Sequence, residues 1–316
     1  MQSKLNKTII VIILIAFFML MLFFLKKVDS TKNSTNDDYK FIKKEWGAYV
    51  GAGVDDLKNF ESLAGKPVDH QAVFVHWGNE NQFPFEVAEN LKSQDKTLII
   101  FWETKDYNQN KIQQPEFNAD SINQGNWDQY IKAFAEQAKV YGGPVILIPF
   151  EEMNGNWSPW SGTENGNTPA KIIEAYRHIR GLFNGVDNVK FGWTVNAISV
   201  PDTSDNVIEA YYPGDQYVDY VGMDGFNFGD PWQNFEQIFS KGLDTISKYN
   251  KPIYIFSMAC AEGDEKAAWI EDAIETQIPK YPQIKGWVWF NENKEKNWLI
   301  NSDQNSLEAF KESIND

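Results

Sequence analysis

The sequence predicts an α/β fold, a single (β/α)8 TIM barrel preceded by one N-terminal transmembrane helix. Three observations predict it. Short apolar runs rich in Val, Ile, Phe, Tyr and Trp alternate with amphipathic segments, eight times over. The units fill about 270 residues, the size of a (β/α)8 barrel. No G-x-G-x-x-G turn follows the first run, so an open dinucleotide-binding sheet lacks support.

The eight runs are WGAYVGAG (46–53), QAVFVHW (71–77), TLIIFWET (97–104), PVILIPFEE (144–152), VKFGWTVN (189–196), VDYVGMDGFN (218–227), PIYIFSMA (252–259) and IKGWVWFN (284–291). Their near-continuous hydrophobicity suits strands buried on both faces, as in a parallel sheet. Helical patterns lie between them. Asp128 to Val140 puts Tyr130, Ile131, Phe134 and Ala138 on one face. Thr168-Pro169 supplies an N-cap and a first-turn proline. Trp232 to Tyr249, Asp264 to Ile278 and Ser306 to Ser313 read as further helices.

The amino terminus has a different character. Residues 9–25, IIVIILIAFFMLMLFFL, form an unbroken apolar run flanked by Lys4, Lys7, Lys26 and Lys27. The run reaches the short end of the roughly 17–25 residues that span a bilayer. No A-x-A-like cleavage site follows it, which favours an uncleaved signal anchor over a signal peptide. The expected organisation is a short cytoplasmic segment (1–8), a membrane anchor (9–25), a polar flexible linker (26–44) and a barrel (45–316). That arrangement predicts a single-pass cell-membrane protein with its barrel on the extracellular side.

Composition excludes several classes. A net charge of -15 repels phosphate backbones, so no nucleic-acid partner is expected. Three His and one Cys, Cys260, argue against a Cys/His zinc site and rule out an internal disulfide. No calcium loop or metal-ligand cluster stands out, so neither a metal nor another cofactor is expected. The 12 Trp and 13 Tyr exceed what a plain core needs and supply rings that can stack on sugar C–H faces.

Barrels of this kind place their chemistry at the carboxyl ends of the strands. Here those ends carry His76-Trp77, Glu103, Glu151-Glu152, Asn196, Asp224, Ser257 and Asn291-Glu292. An apolar strand that ends in a carboxylate must solvate or pair it, because an unpaired buried charge is costly. A series of such ends around one rim predicts a polar cleft. Glycoside cleavage needs two carboxyls across the scissile bond, one to protonate the leaving oxygen and one to attack or to activate water. Glu152, in PFEEMNGNWSPW, has Asn154, Trp157 and Trp160 close behind it. Desolvation and the neighbouring Glu151 should raise its pKa and keep it protonated near neutrality.

PFEEMNGNWSPW resembles the E-M-N-G-x-W motif at the end of strand four in glycoside hydrolase family 26, which includes β-mannanases and lichenases. The likeness continues through AYYPGDQYVDYVGMDGFNFGDPW (210–232), KPIYIFSMACAEGDEKAAWI (251–270) and GWVWFNENKEKNW (286–298). The resemblance implies a glycosidase acting on β-linked polysaccharide, with Glu152 as acid/base and Trp157, Asn196, Tyr211 and Trp289 binding sugar. His76, Trp77, Glu103, Glu151 and Asn154 complete the expected substrate cleft. Three positions depart from the family pattern. The strand-seven nucleophile, a glutamate, falls on Ser257; the histidine before the acid/base is Glu151; the arginine before the proline is Ile148. Asp224 and Glu262 are the candidates for the missing second carboxylate. A Glu151–Glu152 carboxyl pair is a third solution, though successive side chains on a strand point apart. The same substitution also suits a non-catalytic glycan-binding barrel or a scaffold subunit of a polysaccharide export complex.

Overall fold

The computed structural model describes residues 44–315. The apolar run at 9–25 and the linker lie outside the described residues. Among the described residues no helix is long and apolar enough to cross a membrane.

Eight parallel strands close in sequence order, β1-β2-β3-β4-β5-β6-β7-β8. They are β1 Glu45–Tyr49, β2 His70–His76, β3 Thr97–Glu103, β4 Val145–Pro149, β5 Val189–Asn196, β6 Tyr220–Asn227, β7 Ile253–Cys260 and β8 Ile284–Phe290. Each falls within or beside one of the eight predicted runs. The last pair closes the ring, with Gly47 opposite Val288 and Tyr49 opposite Phe290.

Side chains alternate between the barrel interior and the surrounding helices, as the two-residue period of a strand demands. Ala72, Ile99, Phe101, Ile146, Ile148, Tyr254, Phe256 and Val288 form the inner cluster. The large rings of Tyr254 and Phe256 stack at 5.2 Å. They fit because their neighbours are glycines. A Cβ on Gly222 would lie 2.3 Å from Phe256, and one on Gly286 2.6 Å from Tyr254. Large rings facing glycines fill a narrow barrel at native density.

The outer face of the strands packs on the helices through a larger cluster that includes Trp102, Phe134, Trp193, Phe239, Trp289 and Phe310. The helices are α1 Val54–Ala64, α2 Phe85–Lys92, the short α3 Ala119–Asn123, α4 Asp128–Tyr141, α5 Pro169–Leu182, α6 Phe235–Ile246, α7 Lys266–Glu271 and α8 Gln304–Ser313. Thr168 accepts from the Lys171 N–H and caps α5 as expected. The predicted Asp264–Ile278 helix is α only over Lys266–Glu271; Asp272–Gln277 continues it as a π turn.

Two irregularities shape the carboxyl-terminal rim. On β7, Met223 pairs with Ile255 but Asp224 pairs with Ser257, so Phe256 is an extra residue. Such a bulge re-aims the residues that follow it. It brings Ser257 level with Asp224. At β4 the predicted run overshoots: the strand stops at Pro149, and Phe150 and Glu152 take the left-handed conformation with φ of 61° and 51°. For bulky residues this costs on the order of 1 kcal/mol each. Hydrogen bonds hold the turn, from the Trp160 indole to the Glu151 carbonyl (2.6 Å), from Gly155 N to the Glu152 carbonyl (2.8 Å) and from Gly162 N to the Met153 carbonyl (2.8 Å).

Candidate active site

The left-handed turn after β4 separates the two adjacent glutamates. Glu152 points toward β5, where its Oε1 accepts from Asn196 Nδ2 at 2.9 Å. Its Oε2 accepts from the Trp157 indole N–H, also at 2.9 Å. Burial raises its pKa, and these two donors oppose the rise. Glu151 turns the other way, toward β3. It is buried, one of its carboxyl oxygens has no partner, and burial followed by the charge of Glu103 pushes its pKa well up. The two residues therefore do not form a carboxyl dyad facing one substrate bond.

Asp224, on β6, is a buried carboxyl that feels the charge of Glu152. It stands opposite Asn196 in the β5–β6 register and opposite Ser257 in the β6–β7 register. Its side chain is buried and accepts from Thr194 Oγ1 at 3.3 Å and from the Ser257 backbone N–H. Burial raises its pKa well above the usual carboxylate range, and the charge of Glu152 adds to the rise. Glu152, Asn196, Asp224 and Ser257 thus form one arc across β4 to β7. Glu262 is different: it is exposed beyond β7 and accepts from Asn297 Nδ2 at 3.1 Å.

Asn154 organises the arc from beneath. Fully buried, it donates to the Asn196 carbonyl (2.9 Å) and to Ser199 Oγ (3.1 Å), and its Oδ1 accepts from Asn196 N (2.8 Å). Its own carbonyl accepts from Val200 N and Asn206 Nδ2, both at 2.9 Å. It is a positioning residue rather than the sugar ligand expected from sequence.

Three further expectations are corrected by burial. Trp77 is fully buried among Trp102, Trp127 and Tyr130, behind the sheet. Trp289 is fully buried, donates to the Trp298 carbonyl at 2.9 Å and packs on Phe310. Tyr211 is buried with its hydroxyl on Asn206 Oδ1, while its carbonyl accepts from Trp193 Nε1 at 3.0 Å. None offers a ring face to a sugar. Their sequence signal, an aromatic residue at or beyond a strand end, is shared by core and cleft. Trp157 keeps an open surface, at 42 % exposure.

His76 and Glu103 meet on the β2–β3 side, around a residue the sequence reasoning missed. Tyr107 donates to Glu103 Oε2 at 2.7 Å and sets its ring edge-to-face with His76 at 4.7 Å. Lys105 pairs with the other Glu103 oxygen at 2.6 Å. The signal available in the sequence was a lone aromatic in the polar stretch that follows a strand end. Among the described residues no group of three or more His, Cys, Asp or Glu is placed to hold a metal ion.

Fold and rim define a (β/α)8 barrel with a carboxyl-lined cleft at the carboxyl ends of its strands. The chain belongs to glycosyl hydrolase family 26, whose family model matches residues 73–313. It is 35 % identical over 281 residues to Endoglucanase H of Acetivibrio thermocellus, an overlap of 85 % of this chain and 30 % of that protein. It is 25 % identical over 156 residues to a mannan endo-1,4-beta-mannosidase of Bacillus subtilis, covering 48 % of this chain and 41 % of the relative. The chain therefore spans well under half the length of either relative. Among solved structures, a GH26 beta-mannanase from Bacteroides ovatus shares the fold at a TM-score of 0.67 and 18 % identity, over 87 % of this chain and 89 % of that one.

Proposed function

We propose that this chain is a glycosidase that cleaves β-linked mannan- or glucan-like polysaccharide, with Glu152 as general acid/base and Asp224 as the second carboxylate. The observation that carries the proposal is the Glu152–Asp224 pair. Both carboxyls are raised, each by burial first, and the charge of Glu152 adds to the rise at Asp224. Two such groups lose their protons in separate steps, so over a window above the usual carboxylate range the pair holds one proton. One acid and one base is the stoichiometry glycoside cleavage needs.

The deeper burial of Asp224 draws the resting proton toward it. The reactive form has the proton on Glu152, and positive charge developing at the anomeric carbon stabilises the ionised Asp224. Glu152 then protonates the leaving oxygen. Asp224 attacks or activates water according to its separation from Glu152, about 5–5.5 Å for attack and roughly 6.5–9.5 Å for water. The names of the relatives, an endoglucanase and mannosidases, support the substrate class. We further propose that residues 9–25 anchor the chain in the cell membrane with the barrel outside.

A second reading, a glycan-binding barrel without turnover, is favoured by one observation. Ser257 stands where the resemblance puts the nucleophile, and Asp224 retains its proton more firmly than an ordinary nucleophile would. The deciding experiment measures reducing ends released from galactomannan and mixed-linkage glucan by the parent, Glu152→Gln and Ser257→Glu. Turnover by the parent that is lost in Glu152→Gln and depressed in Ser257→Glu supports Asp224, because a new charge beside it disturbs the pair. Silence in the parent and turnover in Ser257→Glu establishes the second reading.

A further inference from the structure

We propose that Tyr107 is the stacking platform of a subsite for a neutral pyranose on the β2–β3 side of the cleft, a proposal that rests on the cleft being a glycan site. Tyr107 is 55 % exposed on a polar loop, where a side chain would ordinarily be free to rotate. Here three contacts fix it. Its hydroxyl is on Glu103, its ring stands perpendicular to that of His76 at 4.7 Å, and Lys105 Nζ sits 3.9 Å from its ring centroid. Burial and the charge of Glu103 raise the phenol pKa, so it stays a hydrogen-bond donor to that carboxylate.

The loop itself is closed by Gln114, which is buried. Its Oε1 accepts from Asp106 N (2.8 Å), and its Nε2 donates to the carbonyls of Asp106 (3.2 Å), Gln109 (3.1 Å) and Lys111 (2.9 Å). Asn165 donates to the Gln114 carbonyl at 2.7 Å, which ties this loop to the one that carries Glu152 and Trp157. A ring held rigid and half in solvent loses little entropy on meeting a sugar face, which is what makes an aromatic platform efficient.

Charge selects the sugar. Glu103 and Lys105 cancel each other at 2.6 Å, and the buried Glu151 nearby is driven toward its neutral form. The ground beneath Tyr107 is therefore close to neutral inside a protein of net charge -15. A uronate gains no local partner, because Lys105 is already paired with Glu103, and it is repelled at longer range by the net charge of -15. A glucosamine ammonium meets Lys105 on one ring face. A neutral hexopyranose meets neither penalty.

The test is calorimetric titration of the full chain carrying Glu152→Gln, in detergent, with mannohexaose, cellohexaose, hexagalacturonate and a glucosamine hexamer. We expect a neutral hexamer to bind most tightly. Tyr107→Ala should weaken that binding about tenfold, and Tyr107→Phe, which keeps the ring and loses its tether, about two- to threefold. Binding of a neutral hexamer that survives Tyr107→Ala but is weakened by Trp157→Ala overturns the Tyr107 subsite and leaves the glycan cleft standing. Tightest binding of the charged hexamers overturns the neutral class. If no hexamer binds the parent, the glycan cleft itself fails, and the subsite with it.

Discussion

Glu45, at the amino-terminal end of the barrel, and the carboxyls Glu151, Glu152 and Asp224, at the other end, are held in opposite ways. At the amino-terminal end, Glu45 of β1 meets His70 of β2 at 3.0 Å, the Tyr254 hydroxyl of β7 and Lys285 of β8 at 3.4 Å. The His70 hydrogen bond is the largest influence and helps to lower the Glu45 pKa to about 2. These residues line a cavity of about 600 Å³ beneath the strands. At the carboxyl-terminal end, Glu151 and Asp224 are buried and Glu152 is partly buried, the pKa values of all three are raised, and among the described residues no cation closes an ion pair with any of them. One end uses a carboxylate to staple four strands. The other keeps Glu151, Glu152 and Asp224 under conditions where their protons are available, while pairing Glu103 with Lys105. Stability and chemistry are separated along the barrel axis, as strand-end chemistry on this fold requires.

Four substitutions break or sharpen that contrast. The largest effect belongs to Glu152→Gln, which should lower kcat/KM by about 10² to 10⁴-fold on a polysaccharide. A rate unchanged by this substitution would remove Glu152 from the chemistry. Asp224→Asn should likewise abolish turnover, yet make the fold firmer at neutral pH. A carboxyl whose folded pKa is raised favours the folded state below its unfolded pKa, and that advantage is lost as pH rises through the raised folded value. The amide escapes the loss, so a gain of about 1 kcal/mol in urea unfolding is expected at pH 8, shrinking to nothing near pH 4.

The opposite end gives the opposite sign. The depressed pKa of Glu45 contributes stability above its unfolded value of 4.5, and that contribution disappears as pH falls toward about 2. Glu45→Gln should therefore cost about 1 kcal/mol at neutral pH, after allowance for screening of a half-exposed group, and leave kcat/KM unchanged. Equal stability of parent and variant across pH 3 to 8, roughly the range in which ordinary carboxyls finish titrating, would contradict the staple. The smallest effect is expected from Trp157→Phe. Loss of its 2.9 Å bond to Glu152 removes a donor that favours the ionised form. The Glu152 pKa should rise, carrying the alkaline limb of kcat/KM upward by less than about one pH unit.

The barrel was legible because eight doubly buried strands leave eight apolar runs, and nothing in the chain imitates that pattern. Position on the rim was legible for Glu152, Asn196 and Asp224, since each lies at or near the end of a run and a polar group there has to face the cleft. What failed was the division between cleft and core among aromatic residues. Trp77 and Trp157 carry the same side chain at the rim, but one strand residue's difference in phase turns Trp77 toward the helices, while Trp157 lies in a turn whose left-handed residues no hydrophobic pattern announces. The bulge at Phe256 was equally hidden. It is what aligns Ser257 with Asp224, and it shows only in the pairing of two strands far apart in sequence.

The Asn154 knot has a consequence for how such a barrel can change. Because one side chain and one carbonyl fasten the turn that carries Glu152 to the stretch from Asn196 to Asn206, those two segments behave as a single heritable cassette. A graft that imports either half alone from another barrel strands several buried polar groups. Diversification of this rim is freer where the loops are not sewn together in this way.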